Sequence, residues 1–427
     1  MKSKIRLLKT LFFSPTARNT YTVFLGNVLS AFFSFLFTVI LVRNLTFADF
    51  GYFSALLSLM ILTSELSDIG IGHSLSSFLP PLEDRQEKLK SFLKAAFATQ
   101  IVISLLVSLL IIILSKKLSL ILFHSPNFNN LVILTAVGIF CAILVNFINY
   151  SLSARHKFLT VSFLTAFGGL LRLILLLIIL VITAITLDNS VLTQTLSLAI
   201  LLLVTLLFIN FDFLNYKTKV ADVKKLLRFA YLLGIARMFT SIAYRLDVLM
   251  LVSIKNATEA GIYSTASRVI SIYPLLSGSF LTVIAPKIAV ITDLYELKKY
   301  LRKIIFATLG LISTILFMIM MARPFMIILF GEKTDPAVPV FRLLLLSMIF
   351  FVGSVPAVSV AIYYFKKPFI LTVNSVIQLA IVVLGNLIFI PIYGRLGPAI
   401  SLILAFGLTS VSTTLMIFYY WQKKKII

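Results

Sequence analysis

About twelve long apolar runs, cut apart by charged or Pro/Gly-rich breaks, fill this chain of 427 residues. They lie at roughly 21–42, 50–79, 92–115, 129–150, 158–183 and 191–213 in the first half, and at roughly 229–254, 260–285, 303–329, 338–364, 368–391 and 396–420 in the second. A run of about 20 apolar residues is what a helix needs to cross the hydrocarbon core. Lipid offers backbone groups no partner, so the spanning solutions are helices or closed barrels. A barrel would show alternating segments of about ten residues, whereas these runs are continuous. Composition agrees, with 60% hydrophobic and only 12% charged residues against about a quarter charged in soluble domains. The 38 Phe residues suit lipid-facing surface. The expected fold is an all-α integral membrane protein. The basic start followed by a full-length apolar run has no cleavage site, so the first run is expected to remain as a span.

A net charge of +23 invites nucleic acid as a partner, yet its distribution points to the membrane. With a cytoplasmic N-terminus, the inner connections hold 26 basic residues and the outer ones seven, Arg43, Lys116, Lys117, Lys255, Arg323, Lys333 and Arg395. This bias puts both termini inside and requires an even number of spans. No nucleic-acid partner is expected. The longest connection, 214–228, is basic and central, and divides the chain into an N-terminal six-helix lobe (1–217) and a C-terminal one (218–427). Tyr419, Tyr420 and Trp421 before Lys423 read as an interfacial anchor. Every outer loop is short, leaving no room for an extracytoplasmic domain.

An internal echo supports the division. Aligning Gly51 with Gly261 sets ADFGYFSA (48–55) on TEAGIYST (258–265), an offset of 210, and Ile121-Leu122-Phe123 matches Ile328-Leu329-Phe330 at an offset of 207. Duplication at half-length is a common transporter plan.

Once the 26 inner and seven outer basic residues are set aside, five arginines remain, all inside spans: Arg172, Arg237, Arg245, Arg268 and Arg342. Each costs about 2.5–3.5 kcal/mol at a helix centre, so each should face protein or water. Helical spacing places Arg237, Ser241, Tyr244 and Arg245 on one stripe, Ser264, Arg268 and Ser271 on another, and Arg172 after Thr165 and Gly168. Only Glu65, Asp68 and Asp247 are acids well inside a span, away from its ends. Pairing, with Asp247 taking one arginine, leaves at least two cations without an acid. An anionic ligand would complete them.

Other signals are structural. Cys141 has no disulfide partner, and His73, His124 and His156 lack metal-ligand spacing, so neither metal nor cofactor is expected. Gly70-Ile71-Gly72 lacks the third glycine and preceding strand of a dinucleotide loop and reads as a packing or kinking device. Pro274, Pro324, Pro356 and Pro391 break or kink spans. Asn44-Leu45-Thr46 and Asn256-Ala257-Thr258 match a glycosylation pattern that turn chemistry also explains.

Arg43-x-Leu45 with Asp49-Phe50-Gly51-Tyr52, Asp68-Ile69-Gly70-Ile71-Gly72 before Pro80, Asp247 with Gly261-Ile262-Tyr263-Ser264 and Pro286, Leu329-Phe330-Gly331, and Ile390-Pro391-x-x-Gly394-x-x-Gly397-Pro398-Ala399 occur in that order. In these elements the chain resembles the polysaccharide-exporter, or O-antigen repeat-unit flippase, branch of the multidrug/oligosaccharidyl-lipid/polysaccharide flippase superfamily. Where the last motif usually reads Gly-Ala-Ala, this chain has Gly397-Pro398-Ala399. The resemblance implies about 12 transmembrane helices in two six-helix lobes related by an axis along the membrane normal. It implies a non-enzymatic flippase of the bacterial cytoplasmic membrane that moves a polyprenyl-pyrophosphate-linked oligosaccharide to the outer leaflet by alternating access. Membrane lipids, a polysaccharide polymerase and assembly proteins are its implied partners. Arg172, Arg237, Arg245, Arg268, Arg342 and Tyr244 would form the cationic cavity, and Glu65, Asp68 or Asp247 would couple transport to an ion. A cation-coupled drug exporter of the same superfamily would want an acidic cavity. A polysaccharide-synthesising membrane enzyme would carry a large outer loop or an acidic metal motif.

Overall fold

The structure, a computed structural model, describes residues 15–68, 70–82, 84–216, 238–239, 241–367 and 369–426. These residues are helical, with no strand among them. In chain order the helices are α1 (Pro15–Asn44), α2 (Phe47–Ser67), α3 (Ile71–Phe78), α4 (Gln86–Ile113), α5 (Ser115–Phe123), α6 (Asn129–Ala154), α7 (Phe158–Ile182) and α8 (Leu187–Leu206). They continue with α9 (241–254), α10 (Ala257–Ile270), α11 (Ile272–Val290), α12 (Leu294–Met320), α13 (Ala322–Phe330), α14 (Val338–Gly353), α15 (Val355–Ser359), α16 (Phe369–Tyr393) and α17 (Gly397–Ile426). Ten stretches are long and apolar enough to cross a membrane, and the last, Phe369–Gln422, holds both α16 and α17. With α9 this is consistent with twelve spans.

Burial is distributed as lipid demands. Leu159, Val181 and Phe306 are 77%, 87% and 80% exposed, while Ser54, Ser74 and Ser104 are wholly buried. With no hydrophobic drive between helices in lipid, small polar residues at helix contacts allow close packing and short hydrogen bonds.

The chain packs as two compact units. One comprises Met1–Leu41 and Leu59–Met238, the other Val42–Ser58 and Phe239–Ile427. In the first, α3, α4, α6, α7 and α8 share a core around Leu75, Phe92, Phe147, Leu164 and Leu201. The span expected at 50–79 is interrupted there: Gly70 sits at φ +83 and Asp68 accepts the Gly72 amide at 2.9 Å, restarting the helix as α3. Gly72 packs so closely that a Cβ would lie 2.4 Å from the Tyr150 ring. Both glycines thus act as kinking and packing devices.

The second unit takes in 42–58, the end of α1 and the first part of α2. Arg43 donates to the last carbonyls of α13, Nε to Leu329 O at 2.8 Å and Nη2 to Ile328 O at 2.7 Å. Lys333 returns the contact, its Nζ reaching Arg43 O at 3.0 Å and Leu45 O at 2.8 Å. Cations capping helix C-termini satisfy orphan carbonyls and complement the dipole. Two separated sequence motifs, Arg43-x-Leu45 and Leu329-Phe330-Gly331, are therefore bonded to each other.

The internal repeat is visible in the helix ends. Thr46 caps α2 through the Asp49 amide at 3.1 Å, and Asn256 caps α10 through the Glu259 amide at 2.9 Å, at the same offset of 210. Turn chemistry therefore accounts for these two sites. Gly51 and Gly261 meet each other. A Cβ on Gly51 would lie 1.8 Å from Ala257 O, and one on Gly261 would lie 1.9 Å from Phe47 O, a reciprocal crossing of equivalent turns. The nine-residue helices α5 and α13 are the second matched pair.

Prolines punctuate as their chemistry requires. Pro274, Pro324 and Pro356 each lie in the first turn of a helix that restarts after a break, where the missing N–H is harmless. Pro391 is carried inside α16 near its end.

Candidate functional site

The intramembrane arginines occupy different settings. Arg172 on α7 lies within the first unit, its guanidinium 4.7 Å from the Phe37 ring centroid. Its Nη1 donates to Gln194 Oε1 at 2.9 Å and its Nη2 to Ser34 Oγ at 2.5 Å, while Nε has no partner. A planar fork suits this combination of stacking and divergent hydrogen bonds. Every named partner of Arg172 is neutral. Gly168, one turn earlier, faces Leu201 of α8 at 2.8 Å from a notional Cβ, so that stripe faces protein.

In the second unit, Tyr244 is 39% exposed on α9, beside the Phe406 ring at 6.5 Å between centroids and next to the Gln378 amide. Arg245 and Ser241 are half-buried on the same helix. Arg237 lies outside the described residues. Arg268 is half-buried at the end of α10, with buried Ser264 one turn before it. Ser271, expected on the same stripe, instead marks the break between α10 and α11 and donates to Arg268 O at 2.7 Å. Arg342 is exposed on α14, in line with exposed Leu346 and Phe350.

The acids divide in the same way. Glu65 is exposed on α2, and Asp68 caps α3. Asp247 is 8% exposed and accepts the Tyr263 hydroxyl and, at 2.8 Å, the Val248 amide. Arg245 lies near enough to act on it electrostatically. Asp247 is thus held chiefly by neutral donors, with Arg245 as a neighbouring charge. Buried acids need such donors because desolvation penalises their charge. The ion pairs among described residues are Arg323–Asp335 at 2.8 Å and Arg395–Glu259 at 2.9 Å. Neither involves an arginine expected inside a span.

A neutral cavity of about 260 Å³ lies wholly in the second unit, walled by α11, α14, α15, α16 and α17. Ser277, Asn374, Gln378, Thr409 and Thr413 are among its polar lining residues. These residues carry no charge to mark them in the sequence. The signal was there in two polar i, i+4 pairs within apolar spans, Asn374 with Gln378 and Thr409 with Thr413. Among the described residues no group of three metal-ligating side chains occurs.

Residues 16–292 match the family described as polysaccharide biosynthesis protein. No curated protein sequence matches the chain. Among solved structures, the lipid II flippase MurJ in its inward closed conformation is similar at a TM-score of 0.74 and 15% identity, over 93% of this chain and 87% of that one. An inward-facing multidrug resistance MATE family transporter of the MOP superfamily is similar at 0.76 and 12%, over 93% and 94%. An outward-facing MATE family transporter is similar at 0.63 and 13%, over 96% and 94%. The family match covers well over half of the chain, and the fold likeness runs through nearly all of it: this multi-pass membrane protein belongs to the polysaccharide biosynthesis protein family and has the fold of the MOP superfamily.

Proposed function

We propose that the chain is a flippase that carries a polyprenyl-pyrophosphate-linked oligosaccharide, such as an O-antigen, capsule or exopolysaccharide repeat unit, from the cytoplasmic to the outer leaflet of a bacterial cytoplasmic membrane. The observation that carries this reading is the surplus of intramembrane arginine over acid in a chain of the polysaccharide biosynthesis family. Guanidinium groups bind phosphate oxygens two at a time, and in a water-poor site each needs a counter-charge. Arg237, Arg245, Arg268 and Arg342, with Tyr244, are the residues proposed to meet the pyrophosphate. Arg172, its terminal nitrogens bonded to Ser34 and Gln194, would add charge at longer range. The polyprenyl tail stays in lipid. Two six-helix lobes, 1–217 and 218–427, rock about the substrate with both termini cytoplasmic, and Glu65, Asp68 or Asp247 couples the cycle to an ion. No chemical step is required of the protein. A polysaccharide polymerase and assembly proteins would receive the product.

The test is flipping of a polyprenyl-pyrophosphate glycolipid in liposomes, followed by access of an external probe to the sugar. Arg237→Gln, Arg245→Gln and Arg268→Gln should each abolish flipping with abundance retained, because loss of a costly intramembrane charge does not impair insertion. Lys at these positions should rescue only in part. Wild-type flipping by all three Gln variants would overturn the anionic-site reading.

A further inference from the structure

The cavity of the second unit is as neutral as the arginine stripes are charged, and this contrast bears on which part of a substrate it can hold. Its space, about 260 Å³, far exceeds the roughly 10–15 Å³ that admits one water, and approaches the lower end, about 300 Å³, of small-molecule sites. Among the described residues no acidic or basic side chain lines it, so a bare pyrophosphate or other isolated charge would meet neutral walls there at a large desolvation cost.

Its polar groups are left open. Ser277, 4% exposed, has no partner for its hydroxyl, and Asn374, 9% exposed, has none for its carbonyl oxygen. The Asn374 amide orientation follows from its neighbour: the Thr413 hydroxyl donates to Thr409 O at 2.7 Å, so its oxygen accepts Asn374 Nδ2 at 2.6 Å and Oδ1 is left over. One turn on, Gln378 lies beside Tyr244, yet its Nε2 makes no hydrogen bond and has two N–H groups to offer. The wall thus offers an acceptor, a donor and a hydroxyl that is both, beside the Phe351 and Phe406 rings, whose centroids are 5.2 Å apart. Hydroxyls that donate and accept, on a ring with apolar C–H faces and no charge, match that inventory.

We propose that this cavity receives a neutral glycosyl unit of the transported lipid, with Ser277, Asn374 and Gln378 as its hydrogen-bonding residues. The proposal rests on the flippase reading and assigns the substrate's sugar to neutral hydrogen-bonding residues rather than to the arginines.

The full-length protein in lipid nanodiscs is titrated with decaprenyl pyrophosphate and with its glucosyl, galactosyl and N-acetylglucosaminyl derivatives. At least one derivative should bind about tenfold tighter than the bare lipid, the effect of one or two good hydrogen bonds. Asn374→Leu and Gln378→Met should each erase that gain. In Asn374→Leu, whose bonded partner Thr413 is not among the residues proposed to meet the pyrophosphate, affinity for the bare lipid should stay within about twofold, well short of one lost hydrogen bond. Ser277→Ala, which removes only an unpartnered hydroxyl, reads the same loss should Asn374→Leu fail to fold. Tight binding of the bare lipid with none of the three derivatives tighter overturns the sugar cavity and leaves the headgroup reading standing. Failure of the bare lipid to bind overturns both. A gain that follows sodium and ignores the sugar assigns the cavity to a cation and overturns the proposal.

Discussion

Replacing Gly51 or Gly261 by Ala has an effect whose sign the structure determines. In an ordinary helix the change is favourable, since Ala is better than Gly by about 1 kcal/mol. Here the new methyl would sit 1.8 Å from Ala257 O or 1.9 Å from Phe47 O. Those are main-chain carbonyls, which cannot rotate away, so the two helices must part by more than an ångström. Overpacking costs about 1–3 kcal/mol, and a backbone obstacle selects the upper end. Set against the propensity gain, each single variant should lose about 2 kcal/mol. The double variant should lose little more than one single, because helices already parted for one methyl accommodate its reciprocal partner; coupling of this kind is expected of residues in contact. Gly310, with nothing within 4 Å of its notional Cβ, is the control, and Gly310→Ala should stabilise by up to about 1 kcal/mol. Trp421, the only tryptophan, packs against the second-unit core around Ile284 and Ile288, so its fluorescence follows unfolding in detergent. A Gly51→Ala protein as stable as the Gly310→Ala control, or a double variant at the sum of the singles, would refute the reciprocal crossing.

Three further outcomes are expected. Tyr263→Phe removes a hydroxyl donor from buried Asp247 and should cost about 1–3 kcal/mol, with Asp247→Leu in the same chain restoring part of it; an unchanged Trp421 transition would argue against the bond. Arg172→Gln strands Ser34 and Gln194 and should lower stability by about 1–3 kcal/mol, read as earlier thiol labelling of buried Cys141 on heating; an unshifted labelling curve would show that Arg172 does not tie those helices together. With Cys141 replaced, single cysteines at Gln86, Lys219 and Gln422 should resist an impermeant thiol reagent in sealed cells, and labelling at any of them would reverse the orientation.

Hydropathy made the spans legible, because each crosses with its own backbone bonds satisfied. The repeat was legible in one glycine and one acid per half, and the structure shows why: Gly51 and Gly261 touch each other's helix, and Asp49 and Glu259 follow the two caps. Less was visible where distant residues decide. Nothing local in 42–58 says that it packs with the second unit; Arg43 and Lys333 do so across some 290 residues. The break at 68–70 lay inside an apolar run and needed the αL glycine to appear. The sequence allows Asp247 either to pair with an arginine or to serve as a coupling site; its donor is a tyrosine one helix on, with Arg245 as a neighbouring charge, and only the close approach of α9 and α10 reveals it. The neutral cavity escaped notice because uncharged amides and hydroxyls in a span resemble ordinary helix-packing residues until the space beside them is seen.

The most direct measurement places two substrates in competition for one protein. Purified wild-type chain is reconstituted in liposomes, and transbilayer movement of a polyprenyl-pyrophosphate glycolipid is followed beside transport of the lipophilic cation tetraphenylphosphonium. The proposed arginine site predicts rapid flipping of the glycolipid, inhibition by the unglycosylated polyprenyl pyrophosphate, and no protein-dependent movement of the cation. Protein-dependent transport of the cation with no flipping of the glycolipid would contradict the flippase reading and make the chain a drug exporter on the same fold.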